Sequence, residues 1–347
     1  MQEGMVPMAV TIKELSAACG LSVSTVSKAL NNYPDVSHET RDLVRSTAAK
    51  MGYRPSAIAR GLKIGRTFNL GVLFSDDSDS GFTHHYFAPV LESFKAEAER
   101  RGYDITFITH HTGQNRMTYL EHCLYRNVDG VGIVNCHFDD PEVLELISGP
   151  LPVVTVDHHF HNHSCVESEN RKGMAELAQH ILSLGHTRIA YIYGEHSAVT
   201  DIRRTSFLRA MQEAGLSVPD EYLVPSKYHN PAATRQATEQ LLSLADRPTC
   251  IIMPDDYAAL GGIEAIQAAG LRMPEDISVA GFDGVPLLQL CRPQLTTVAQ
   301  DTRSIGAAAA RKLVHLIELP RTTFQEIISI PCRLIPGETV VRPGGTV

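Results

Sequence analysis

Three helix-start signals crowd into the stretch from Thr11 to Gly52, and they constrain this chain more than any other feature. Thr11 with Glu14 three residues on has the form of a capping box, which predicts a helix from Ile12. Ile12, Leu15 and Cys19 recur at helical spacing, and Gly20 permits a sharp turn. Ser22 caps a second helix whose apolar positions are Val26, Ala29 and Leu30, while Val23, Ser24, Thr25, Ser27 and Lys28 point outward and are small or polar. Ser37 caps a third helix running to Gly52. Two short helices about a tight turn, the second with a solvated face of this kind, describe a helix-turn-helix. An ordinary helical subdomain is the competing reading, since Gly-broken helix pairs need not touch DNA.

The charge distribution separates the two readings. The formal charge of the 347-residue chain is −8, but residues 1–66 carry +4 and the remainder −12. A basic head is drawn to phosphate, while an acidic body discourages non-specific wrapping. Seven cysteines (Cys19, Cys123, Cys136, Cys165, Cys250, Cys291, Cys332) are scattered without a CxxC, as expected of reduced thiols in a cytoplasmic protein. No apolar run approaches a membrane span, and the first residues lack the pattern of an export signal. Localisation is therefore expected to be cytoplasmic, at the nucleoid through DNA binding.

After Thr67 apolar runs alternate with amphipathic helices. Strands are expected at 69–74, 104–109, 130–135, 153–156, 189–193, 250–253 and 278–281, with a last one at 331–335. Helices are expected at 87–101, 117–126, 174–184, 205–214, 232–245 and 258–269. That alternation implies parallel sheets with crossover helices, and its length implies two doubly wound lobes. Ligands of such sheets bind outside the carboxyl ends of the strands. Those ends read Ser75-Asp76 followed by His84-His85-Tyr86-Phe87, then His110-His111, Asn135-Cys136-His137, Asp157-His158-His159, Asp255-Asp256 and Asp283-Gly284. Carboxylates accept hydroxyl hydrogen bonds, an arginine donates a fork of them, and an aromatic face packs on C–H surface, which suits a polyol. The histidines have three possible uses: hydroxyl binding, plain solvated loops, or metal. Adjacent pairs on extended backbone point to opposite sides and cannot readily share one ion, so no metal site is assigned. GxSxG, Walker and GxGxxG motifs are all absent, so an enzyme is the weaker reading and no cofactor is expected.

The whole pattern resembles the lactose/galactose repressor (LacI/GalR) family of bacterial transcription regulators. The matching residues are Val10-Thr11-Ile12, Leu21-Ser22, Thr25-Val26-Ser27, Leu30-Asn31, Val36-Ser37, Thr40-Arg41, Gly52-Tyr53, Pro55, Ala59 and Leu62. They continue through Asp129-Gly130-Val131, Gly173, Gly185-His186-Thr187-Arg188-Ile189, Asp256, Ala258, Gly261, Asp276-Ile277-Ser278-Val279 and Gly281-Phe282-Asp283. The resemblance implies a small all-α helix-turn-helix head (9–54), a hinge helix and linker (55–66), and an α/β two-lobed body (67–347) like a type I periplasmic sugar-binding protein. The first lobe would take about 67–162 and 298–325 and the second about 163–293 and 330–347, with crossings near 161–165, 291–297 and 325–332.

It further implies a repressor of carbohydrate-use genes that binds double-stranded, pseudo-palindromic operator DNA as a homodimer, with a sugar-like effector in the interlobe cleft. Val23, Ser24 and Lys28 sit where the family reads bases. Thr11, Ser22 and Ser37 sit where it holds backbone, with Thr25, Ser27, Asn31, Thr40 and Tyr53 nearby. In the hinge, Ser56, Ala59 and Leu62 complete the set, Leu62 matching the residue that wedges between base pairs. Lys28 stands where the family commonly has Arg, and Lys lacks the planar fork of a bidentate guanine contact. In the cleft the resemblance makes Arg203, Asp255 and Asp283 the strongest effector contacts, with Asp157 and Gln300 behind them and Ser75, His85, Tyr86 and Tyr228 completing the set. Asp255 replaces a common Asn, which makes the pocket more acidic and argues against a phosphorylated or purine-like anionic effector; its competing role is a helix cap. The tail after the last strand has no heptads, so a dimer rather than a coiled-coil tetramer is expected.

Overall fold

The computed structural model describes residues 10–54, 65–76 and 80–344. The expected hinge helix, with Ser56, Ala59 and Leu62, lies outside the described residues. The chain divides into two units, 1–67 and 68–347.

The head is three helices, α1 (Ile12–Cys19), α2 (Val23–Leu30) and α3 (His38–Met51). Each starts where a hydroxyl accepts a backbone N–H: Thr11 from Glu14, Ser22 from Thr25 and Ser37 from Thr40. Gly20 and Gly52 end α1 and α3 in the left-handed region that glycine adopts without strain. Leu15, Val26, Ala29, Val36, Val44 and Ala48 form one buried core between the three helices.

In the body the strands are, in chain order, β1 (Asn69–Phe74), β2 (Asp104–Phe107), β3 (His111–Thr112), β4 (Asn115–Arg116), β5 (Gly130–Asn135), β6 (Val153–Val156), β7 (Ser164–Ser168), β8 (Ile189–Tyr193), β9 (Leu223–Pro225), β10 (Cys250–Ile252), β11 (Ser278–Ala280), β12 (Thr297–Gln300), β13 (Ile327–Ile330) and β14 (Cys332–Ile335). The first lobe is a parallel sheet ordered β2-β1-β5-β6-β7-β13, and the second a parallel sheet ordered β9-β8-β10-β11. Each sheet is buried on both faces. In the first lobe Leu70, Val72 and Val134 pack with helices Phe87–Arg100 and Thr302–Glu318, while Leu73, Val131 and Ile133 pack with Tyr119–Tyr125 and Pro141–Ser148. Burial on both faces is why these strands read as apolar runs rather than alternating ones.

Two lobe boundaries differ from the sequence reading. Ser164–Ser168, expected in the second lobe, pairs in parallel with β6 and β13, so the chain leaves the first sheet after Ser168. β12 pairs antiparallel with β14, and Ala280–Thr296 and Asp283–Ala299 bridges tie it to the second lobe, so that crossing follows Gln300 rather than lying at 291–297. The third crossing falls at Pro331, between β13 and β14, inside its expected range. Helices Pro141–Ser148 and Thr302–Glu318 and strands β7, β9, β12 and β13 were not anticipated. Thr302–Glu318 is built around Gly306 and an Ala307–Ala310 run that shows no apolar–polar periodicity. Close approach to helix Phe87–Arg100 demands this: a Cβ on Gly306 would lie 2.0 Å from the Val90 carbonyl oxygen.

Candidate nucleic-acid face and ligand cleft

On α2, Val26 and Ala29 enter the head core, while Val23 and Ser24 are exposed and Thr25, Ser27 and Lys28 are half-exposed. The second helix therefore presents the small polar face the sequence predicts. Ser22 and Ser37 each also bond the Thr hydroxyl three residues on, Ser22–Thr25 at 2.9 Å and Ser37–Thr40 at 2.8 Å. Asn31 donates its amide to the Ser27 carbonyl at 2.8 Å, and Tyr53 packs against the head core. Lys28 has a partner that sequence reasoning missed: its Nζ lies 2.5 Å from Asp35 Oδ2. That hydrogen bond raises the Lys28 pKa and lowers the Asp35 pKa. The loop carrying Asp35 is itself held by Arg41, which donates to the carbonyls of Tyr33 (3.1 Å) and Val36 (2.8 Å).

In the body, Arg203 organises the site. It projects from helix Ala198–Glu213 and is only 3% exposed. Its Nε donates to Asn170 Oδ1 at 2.8 Å, and its guanidinium carbon lies 3.6 Å from the centre of the Phe282 ring. A buried charge needs both pairing and hydrogen bonds. Burial works against the cation, but Tyr228, Asp283 and Asp157 around it hold its pKa above the ordinary value.

The carboxylates reach this point from strand ends. Asp157 follows β6 with a positive φ of 56°; its Oδ2 accepts from the Tyr86 hydroxyl at 2.5 Å and its Oδ1 from the Ser168 N–H at 3.3 Å. Asp255 follows β10 and caps helix Asp256–Ala268, accepting from the Ala258 N–H through Oδ1 and the His229 N–H through Oδ2, both at 2.7 Å. The cap role weighed against ligand binding is thus real. Asp283 follows β11 with φ 108° and accepts from Gln300 Nε2 at 2.7 Å. Burial pushes all three carboxyls up, and Asp283, with the Asp255 charge adding to the rise, stands at about 7; Arg203 pulls each of them down. Tyr228 donates its backbone N–H to Glu195 Oε2 at 2.7 Å and shares a 2.9 Å hydroxyl contact with Thr200. Its ring fits only because residue 194 is glycine: a Cβ there would sit 2.3 Å from the ring.

Seven of the nine expected cleft residues (Tyr86, Asp157, Arg203, Tyr228, Asp255, Asp283, Gln300) thus share one network of hydrogen bonds and charge interactions. Ser75 joins the end of β1 to Asn135, donating its N–H to the Asn135 carbonyl and accepting from the Asn135 side-chain amide through its own carbonyl. His85 is exposed and lays its ring on Tyr257, centroids 5.2 Å apart. Asn170, Phe282 and His229 were missed. Phe282 carried a signal, since it lies inside the Gly281-Phe282-Asp283 motif, whereas Asn170 carried none.

The histidines do other work. His84 Nδ1 accepts from the Tyr86 N–H at 3.1 Å, and its ring stacks on His229 at 4.0 Å, which stacks on Tyr257 at 4.0 Å. These contacts join the two lobes. Burial above all, and their mutual repulsion with His85, hold His84 and His229 at about 4. His158 stacks on Phe138, and His159 pairs with Glu167 at 2.8 Å. Among the described residues no group of three or more His, Cys, Asp or Glu is arranged to hold a metal. A separate open cavity of about 570 Å³ is lined by His159, Glu167, Ser168, Asn170, Arg171 and Ser206 among others, and not by Arg203 or the three carboxylates. Most of its charged side chains pair with one another (His159 with Glu167, Lys172 with Glu169, Arg209 with Glu213), whereas the convergent buried charge is that of the Arg203 cluster.

Comparison with known proteins agrees with this arrangement. Residues 11–56 match the model of bacterial regulatory proteins of the lacI family, and residues 178–340 match that of the periplasmic binding protein-like domain. The chain is similar to catabolite control protein A of Priestia megaterium (30% identical, covering 94% of this chain and 98% of that protein). It is also similar to the HTH-type transcriptional repressor PurR of Serratia proteamaculans (31% identical, covering 95% and 96%). The lac repressor dimer bound to operator and the anti-inducer ONPF has the same fold, with a TM-score of 0.81 at 23% identity, covering 96% of this chain and 99% of that one. Head, lobed body and full-length similarity converge: the chain belongs to the LacI family of bacterial transcriptional regulators.

Proposed function

We propose that this regulator represses carbohydrate-use genes by binding a pseudo-palindromic operator as a homodimer, under the control of a small polyol held in the cleft around Arg203. The observation that carries the effector site is the buried Arg203 among Asp255 and Asp283 of its own lobe and Asp157 of the other. A fork of donors among carboxylate acceptors is the recognition chemistry of vicinal hydroxyls. Exposed Leu260, Leu287 and Leu290 on the second lobe supply apolar surface for self-association. On the head, the exposed face of α2 enters the major groove, with Val23, Ser24 and Lys28 toward base edges. Thr11, Ser22, Ser37, Thr25, Ser27, Asn31, Thr40 and Tyr53 meet the backbone. Ser56, Ala59 and Leu62 belong to the hinge contact, an assignment that rests on the family resemblance alone.

Control follows from differential affinity. An effector that binds one arrangement of the lobes better than another shifts the population by its difference in binding free energy, and operator affinity shifts with it. The test is a gel shift on the DNA upstream of the protein's own gene, run with and without members of a carbohydrate panel preselected by thermal shift. Specific retardation altered by a sugar is expected; retardation that no sugar alters removes the effector assignment. Leu62→Ala should weaken operator binding about tenfold or more while leaving effector affinity intact; unchanged operator affinity in a fluorescence titration would remove the wedge.

A further inference from the structure

Taking the Arg203 cluster as the effector site, the balance of charges and acceptors within it says more about the ligand. Three carboxylates, Asp157, Asp255 and Asp283, surround a single described cation. Asp256 lies behind them, fully buried, accepting from the Thr297 hydroxyl at 2.6 Å and the Val285 N–H at 2.7 Å. The rings of His84 and His229 supply no positive charge, because burial keeps them neutral at ordinary pH.

The acceptors are unevenly used. Both oxygens of Asp157 are engaged, by Tyr86 and Ser168, and both of Asp255, by His229 and Ala258. Asp283 receives one hydrogen bond, from Gln300 Nε2, and Gln300 Oε1 is buried without a partner. Spare acceptor capacity therefore collects at the Asp283–Gln300 corner. A hydroxyl donates one hydrogen bond and brings no charge, whereas an ammonium donates three and neutralises a carboxylate. An anionic group would meet acceptors there and like charge.

We propose that the effector is a polyol bearing a protonated amine, and that this amine seats between the Asp283 carboxylate and Gln300 Oε1. The neutral hydroxyls of the same ligand face Arg203 and Asp157. Asp255, whose oxygens are occupied by backbone, contributes through its charge rather than by contact.

Calorimetry on the full chain tests this with matched probes: D-glucosamine against D-glucose, D-galactosamine against D-galactose, D-mannosamine against D-mannose, and the three hexose 6-phosphates. At least one amine is expected to bind about tenfold or more tighter than its parent hexose. In Asp283→Asn the amine-to-parent ratio should fall to about twofold or less. Parent hexoses binding as tightly as the amines, a phosphate binding best, or no amine binding at millimolar concentration would each overturn the proposal. A gel shift on the same samples separates the two failures. Sugar-sensitive operator binding without amine preference rejects the amine alone, and DNA binding insensitive to every probe rejects the effector site itself.

Discussion

The head and the cleft use side chains of the same kinds, hydroxyls and carboxylates, under opposite physical conditions. In the head, Thr11, Ser22 and Ser37 are solvent-exposed and each satisfies an amide three residues away. In the cleft, Asp157, Asp255 and Asp283 are drawn from three separate strand ends and meet one buried arginine from a helix. Water shares the cost of any change at the first place and reaches the second far less, where Arg203 and Asp255 are buried and Asp157 and Asp283 half-buried. Substitutions that look alike on paper should therefore differ in effect by a large factor between the two regions.

Arg203→Met is the severest test of that contrast. It keeps the volume but strands Asn170 Oδ1 and leaves three carboxylates without their cation. Removing one member of a buried, paired cluster costs about 3–5 kcal/mol. Urea unfolding of the body should show a loss of that order together with loss of any effector response. A change under 1 kcal/mol, on the order of a surface substitution, would mean that water reaches the cluster and the contrast with the head is false.

Acid titration sharpens the contrast through its sign. Asp283 has a folded pKa raised to about 7, so the folded state holds its proton longer than the unfolded chain, and this group makes stability fall as pH rises from about 4 to about 7. His84 and His229, depressed to about 4, do the reverse: the unfolded chain takes up protons first, so their contribution is complete above about pH 6.5 and is lost as pH falls toward 4. The two slopes oppose each other in the native protein. Asp283→Asn should unmask the histidine slope, giving a stability that climbs more steeply between pH 4 and about 6.5 than in the parent. Chemical denaturation at several pH values checks this, and parallel curves for the two proteins would place Asp283 in contact with solvent.

Ser22→Ala belongs to the other region and to a smaller scale. It removes the cap of α2 and one hydroxyl contact to Thr25, a loss of about 1 kcal/mol. The head should unfold at lower denaturant while the transition of the body stays where it was, since the two are separate units.

The same contrast explains what could be read from the chain in advance. The caps of α1, α2 and α3 are local signals, and all three helices begin where Thr11, Ser22 and Ser37 place them. The strand ends carrying Asp157, Asp255 and Asp283 were legible because buried parallel strands are apolar runs with sharp polar ends. What they bond to was not legible. Nothing near Asn170 in sequence announces a partner for Arg203, and nothing marks His229 as the residue whose N–H engages Asp255. Those contacts join segments of the second lobe that are 33 and 26 residues apart in sequence, and the placing of Ser164–Ser168 in the wrong lobe shows how easily a short strand between polar loops escapes a periodicity argument. Helix Thr302–Glu318 was not anticipated although Ile305, Leu313, Val314 and Leu316 lie on its buried side; at Gly306 its close contact with helix Phe87–Arg100 leaves no room for a larger residue.

The smallest effect on stability is expected at the pair sequence reasoning missed, Lys28 with Asp35. Both side chains are substantially solvent-exposed, so Asp35→Asn should leave the unfolding midpoint of the head where it is. Its effect should appear only on DNA. Asp35 occupies the ammonium of the one basic residue on α2 and sets a negative charge beside the face proposed to meet DNA. Releasing Lys28 lets it displace a counterion, so log affinity plotted against log salt should steepen by about 0.9 per phosphate gained, with tighter binding at low salt. If instead the slope is unchanged and affinity falls for one operator sequence only, Asp35 is holding Lys28 in the posture that reads a base, and the exposed pair is as specific in its way as the buried cluster around Arg203.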